Sequence, residues 1–232
     1  MRASLIQSTL LCCVSFSVVS CSGGISPGPG GGTITGSATS STGATAPEQR
    51  KEGSKFVQAA YELRKANKLP ESLVEIDKAV AIDKNNYYAW QLRGDINSVM
   101  NNTEDAIEDL KKAIELKPDE AVLYYTKGKY EGQARKFDDA LADAKQAVKL
   151  DPKNMDYLYM RASGYAIAQE YKKAIADATA VINADAKNMA AYRLRSVCYF
   201  KSGDKKRSAA DDREFQRLSK SSARVIPVSG MQ

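Results

Sequence analysis

Between residues 53 and 218, apolar residues recur three and four positions apart, as in FVQAAYELRK (56–65) and SLVEIDKAVAI (72–82). That spacing lines one face of a helix and leaves the other to solvent. Short polar strings such as DKNN, KPDE and DPKN separate the helical runs. The pattern predicts an all-α chain. First helices fall near 54–67, 87–100, 121–134, 155–168 and 189–202, and second helices near 70–82, 104–116, 138–149, 172–183 and 205–218. Pro70 suits the opening turn of its helix, where no intrahelical N–H bond is lost.

The pattern also copies itself. AVAIDKNN begins at residue 79, AIELKPDE at 113, AVKLDPKN at 147 and VINADAKN at 181, each 34 residues after the last. A fixed period in this range signals stacked supersecondary units rather than one centred core. Counting from Gly53 gives blocks 53–86, 87–120, 121–154, 155–188 and 189–222 without an insertion. Position 4 of each block is large and apolar: Phe56, Trp90, Tyr124, Leu158, Tyr192. Position 8 is small: Ala60, Gly94, Gly128, Ala162, Ser196. Position 20 is small as well: Ser72, Ala106, Ala140, Ala174, Ser208. Position 27 is Ala79, Ala113, Ala147, Val181 and then Phe215. Small residues at 8 and 20 let two antiparallel helices approach closely, and the residue at 4 fills the space that opens beyond. Pro118 and Pro152, at position 32, stand where the second helix must end.

With this period, the small–small–Ala pattern, the prolines and WQLRG at 90–94, residues 53 to about 218 resemble the tetratricopeptide repeat (TPR) family. The resemblance implies a right-handed α-solenoid of about five helix-turn-helix units. Departures are Asn97 and Glu131 at position 11, often Tyr, and Lys84 and Ala186 at position 32. Repeat 5 turns polar late, at Asp211, Asp212, Arg213 and Glu214, as a solvent-facing cap would. The family implies that first helices line a concave groove and that positions 2, 5, 9, 12 and 13 meet a protein or peptide partner. Those positions include Val57, Arg64 and Ser163, and the expected contacts are Tyr61, Tyr88, Gln91, Asp95, Tyr125, Lys129, Tyr159 and Arg193. The Lys/Asn/Arg set with which cochaperone members hold a terminal carboxylate is not matched in any three consecutive repeats, so that subtype is not expected.

Charge adds a second periodicity. Position 7 is Arg93, Lys127, Arg161 and Arg195 in repeats 2–5, and position 23 is Glu75, Asp109, Asp143, Asp177 and Asp211 in all five. Opposite charges repeating with the fold predict structural ion pairs within or between repeats, not a catalytic row.

The first fifty residues have another character. Arg2 followed by the apolar stretch Leu10–Val19 and small residues has the parts of a signal peptide over 1–20. Val18-Val19-Ser20-Cys21 resembles a bacterial lipobox, which implies cleavage before Cys21 and lipidation of its thiol. Residues 22–47 carry no charge and almost nothing large, so 21–52 is expected to be a lipidated cysteine plus a disordered Gly/Ser/Thr/Pro linker. By the same resemblance, Ser22 implies sorting to the outer membrane, on its periplasmic side. Residues 219–232 are expected to be a flexible tail.

Composition then narrows the function. Histidine is absent, which removes the commonest general base and metal ligand. The net charge is +6, but residues 51–218 hold 30 basic and 27 acidic side chains with no basic block, so nucleic acid is not an expected partner. GGISPGPGGG lacks the strand and helix of a phosphate loop. Cys198 is a small core residue, without a catalytic partner. No catalytic residue, metal site, cofactor or small-molecule substrate is expected. The reading is an interaction scaffold for a protein or peptide of the bacterial envelope, held to the membrane by a lipid anchor. The alternative is a soluble periplasmic or secreted scaffold released by ordinary signal cleavage.

Overall fold

The computed structural model describes residues 46–223, all arranged as helices and short turns. The signal peptide, Cys21 and most of the linker expected over residues 1–45 lie outside the described residues, as does the tail beyond 223. The helices are α1 Ala46–Lys65, α2 Leu69–Ile82, α3 Tyr87–Val99, α4 Thr103–Leu116, α5 Ala121–Gln133, α6 Phe137–Leu150, α7 Met155–Ile167, α8 Tyr171–Ala184, α9 Met189–Lys201 and α10 Lys205–Ala223. Each packs on the next, so five hairpins stack in chain order into an α-solenoid. The two ends depart from expectation. α1 begins at Ala46, so residues 46–52 are helical rather than linker. α10 runs to Ala223, five residues past the expected end at Leu218.

The small positions do what their size suggests. Ala60, Ala106, Ala113, Ala147, Ala162 and Ala174 are wholly buried between paired helices, while Ala140 is half-buried. A β-carbon on Gly94 would stand 3.0 Å from the Ala106 carbonyl oxygen, so glycine sets the approach of α3 to α4. Where serine replaces alanine, its hydroxyl needs an acceptor: buried Ser72 donates to the Ala60 carbonyl at 2.6 Å. Cys198 is buried too, and burial pushes its thiol up to about 12, as expected of an inert core residue.

Two turn designs alternate. Inside each repeat the turn carries a left-handed residue at position 15: Asn67, Asn101, Arg135, Gln169 and Gly203, with φ of 58°, 65°, 63°, 61° and 91°. The next N–H donates five residues back, for example Lys136 to Glu131 and Glu170 to Tyr165, both at 2.8 Å. This is a Schellman closure, which satisfies the last carbonyls of the first helix. Between repeats, Asp83, Asp151 and Asp185 accept from N–H groups two residues on. Asn86, Asn154 and Asn188 then cap α3, α7 and α9. The position-4 aromatics brace this bend, with Trp90 Nε1 donating to the Lys84 carbonyl at 2.9 Å and Tyr124 Oη to the Pro118 carbonyl at 3.1 Å.

The charge ladder forms four rungs, each within one repeat. Arg93 meets Asp109 at 2.6 Å, Lys127 meets Asp143 at 2.6 Å, Arg161 meets Asp177 at 2.8 Å and Arg195 meets Asp211 at 2.8 Å. All four aspartates are buried. Glu75 lacks such a partner because Ala59 stands at position 7, and it pairs with Lys78. The cap also differs from expectation. Asp211 is buried in its rung and Asp212 accepts from buried Ser196 at 2.7 Å, so the acidic pair serves packing rather than solvation.

Candidate functional site

The first helices α1, α3, α5, α7 and α9 share one side of the stack. The N-terminal half of this face holds a cluster drawn from three helices: Tyr61 and Arg64 on α1, Tyr88 and Asp95 on α3, Lys129 and Tyr130 on α5. Its centre is Asp95, whose carboxylate accepts from Tyr130 Oη at 2.6 Å across the repeat boundary. Burial holds the Asp95 carboxyl above its usual range, opposed by the Tyr130 hydrogen bond and by Arg64 and Lys129. Burial and the Asp95 charge together push the Tyr130 phenol far above the usual tyrosine range. Tyr88 is raised as well, first by burial and then by Tyr61 and Asp95. Arg64 completes the group, with a buried Nε that has no hydrogen-bond acceptor.

Exposure sorts the expected contacts. Tyr88 is open to solvent at 42%. Tyr61, Gln91, Asp95, Tyr125, Lys129 and Tyr159 are half-buried, and Arg193 is exposed. Tyr125 packs on Tyr157 with ring centroids 5.1 Å apart and carries the Lys129 ammonium 5.6 Å above its ring. Tyr159 packs against the cores of α7–α9. Arg193 stands apart: its guanidinium is 3.5 Å from Asp212 and lies over Phe215, both on α10. Two further groove expectations are corrected. Val57 and Ser163 are buried, since Val57 joins the core of the first repeats and Ser163 turns its hydroxyl back to the Tyr159 carbonyl. Tyr130 was not an expected contact. Position 10 is packed in repeats 2, 4 and 5 (Ile96, Gly164, Cys198) and is exposed Glu62 in repeat 1, and a buried phenol there signals a polar partner across the groove.

Among the described residues no group of acidic or thiol side chains is arranged to hold a metal ion, and no helix is long and apolar enough to cross a membrane. The site offers rings, two cations and a carboxylate along one face of the stack.

Residues 87–120 and 125–187 each match a tetratricopeptide repeat family model. Those two stretches are TPR repeats. Solved structures agree. The chain is similar to MamA (TM-score 0.70, 19% identity, 78% of this chain and 99% of that one) and to YrrB (0.68, 18%, 75% and 90%). It is also similar to PilF of Pseudomonas aeruginosa (0.62, 12%, 74% and 78%). At these identities the likeness establishes the right-handed TPR solenoid alone. YrrB is described as a TPR protein with an unusual peptide-binding site. Comparison with curated protein sequences finds no match.

Proposed function

We propose that this TPR array is a non-enzymatic scaffold that holds an extended protein or peptide segment along its concave face. The observation that carries the reading is the cluster around Asp95. Tyr88 offers exposed ring surface, the Arg64 Nε lacks an acceptor, and Lys129 and Asp95 offer charge to either side. A peptide backbone with one or two polar side chains supplies what those groups lack, and central, partly desolvated rings contribute most to such binding. The tyrosine-rich face continues through Tyr125 and Tyr159, so the segment runs over repeats 2–4. No cofactor takes part.

The same proposal places the array in a bacterial envelope. VVSC at 18–21 supports lipidation of Cys21, the uncharged residues after it support a tether, and Ser22 supports the outer membrane. A photo-crosslinking amino acid at position 88 tests the groove in producing cells, with position 112 on the second-helix face as control. The reading expects a discrete adduct with another protein from position 88. Adducts from position 112 alone would move the site to the opposite face.

A further inference from the structure

The turns inside the repeats, at 66–68, 100–102, 134–136, 168–170 and 202–204, all lie along one edge of the solenoid, because the hairpins stack without insertions. Just past each turn, positions 18 and 19 open the second helix. In repeats 2 and 3 they are Glu104–Asp105 and Asp138–Asp139. In repeats 4 and 5 they are Lys172–Lys173 and Lys206–Arg207, with Lys205 beside them. All are exposed. At these helix-start positions the edge is acidic in repeats 2 and 3 and basic in repeats 4 and 5, while the turns beside them carry Arg135 and Lys136 in the first half and Glu170 and Asp204 in the second.

Some of this charge is satisfied locally. Glu104 pairs with Lys136, Lys173 with Glu170 and Arg207 with Asp204. Asp105, Asp138, Asp139, Lys172, Lys205 and Lys206 have no ion-pair partner among the described residues. The acidic half follows the electrostatics of a helix start, whereas the basic half opposes it. Cations gathered at the positive ends of two adjacent helices gain from anions brought from outside.

We infer that this edge is the interface between two copies of the chain, related by a twofold axis between repeats 3 and 4. Repeat 2 of one copy then faces repeat 5 of the other, and repeat 3 faces repeat 4. Glu104 and Asp105 meet Lys205 and Lys206, and Asp138 and Asp139 meet Lys172 and Lys173. A twofold contact needs a self-complementary patch, and an edge that reverses sign about its midpoint is one. A foreign acidic partner would use only the basic half, and the carboxylates of repeats 2 and 3 would repel it. Shape agrees with charge: a shallow depression between the last two turns, lined by Gln169, Tyr171, Lys172 and Ser202, can receive a turn of the partner. The concave faces stay free in this arrangement.

Sedimentation velocity on the full chain carrying Cys21→Ser, so that no acyl group drives association, tests it. At low salt the protein should sediment at twice the 25.3 kDa chain mass and dissociate as salt is raised. Lys205→Glu/Lys206→Glu, and separately Glu104→Lys/Asp105→Lys, should each weaken the dimer at least about tenfold. An equimolar mixture of the two variants should dimerise again, since each restores the sign the other needs. A wild-type monomer at ~100 µM and low salt, well above the concentrations specific dimers need, overturns the inference. So does a mixture of variants that fails to associate while both retain helical circular dichroism.

Discussion

One lysine in the third repeat faces two carboxylates, and that makes a quantitative prediction. Lys127 Nζ lies 2.5 Å from Glu131 and 2.6 Å from Asp143. Glu131 stands at position 11 and is 3% exposed, and its Oε2 is buried without a partner. Burial raises its carboxyl to about 7; Lys127 opposes the rise and the Asp143 charge adds to it. The neighbouring Asp143 is raised as well, by burial first. The folded state therefore favours a protonated Glu131 relative to the unfolded chain. Because the folded pKa lies above the unfolded value of 4.5, this stability is fully present below about pH 4.5 and is lost as pH rises through 7. The gap between those values corresponds to about 3 kcal/mol. Glu131→Gln keeps the shape and hydrogen-bonding of the neutral acid. The variant should match wild type within about 1 kcal/mol at pH 5 and exceed it by up to about 3 kcal/mol at pH 8. Urea titrations followed by circular dichroism at both pH values measure the difference. Parallel pH profiles, or a variant less stable at pH 8, would show that Lys127 keeps Glu131 ionised and would refute the argument.

Arg135 is exposed and left-handed at φ 63°, so Arg135→Gly should stabilise by about 0.5–1 kcal/mol, read as a higher urea midpoint with unchanged slope. A β-carbon on Gly164 would stand 2.8 Å from Leu141 Cδ1, so Gly164→Ala should destabilise by about 1–3 kcal/mol, measured in the same titration. Tyr88→Ala should weaken partner binding by about 1–3 kcal/mol in titration calorimetry and leave thermal stability nearly unchanged, because the ring is exposed. Tyr125→Ala should also lower the melting temperature, since that ring packs on Tyr157.

The helices were legible because each repeat states the same pattern again, and agreement across junctions fixes the register that one helix leaves loose. The caps Asn86, Asn154 and Asn188 were not singled out from the sequence, although a cap is a local device written in the residues it uses. The ends were less legible. Residues 46–52 have a linker-like start, yet they continue a helix already nucleated by the packed turns after Gly53. The groove was readable only in outline. Which residues face it follows from the period, but Val57 and Ser163 are covered by neighbours that the period does not describe. The Asp95–Tyr130 bond was not legible either, because it joins residues 35 apart through the superhelical offset between repeats.

Every rung of the ladder closes inside its own repeat, between residues 16 apart. Such ties chiefly resist the splaying of a hairpin, and at two junctions the same arginines also reach the repeat before, Arg93 to Asp77 and Arg195 to Thr179. If the two ends of the chain were pulled apart, the array would shed whole repeats in succession, starting at a terminus, each keeping its hairpin until its own rung gave way. Under force it would lengthen in steps of one repeat rather than fail at once.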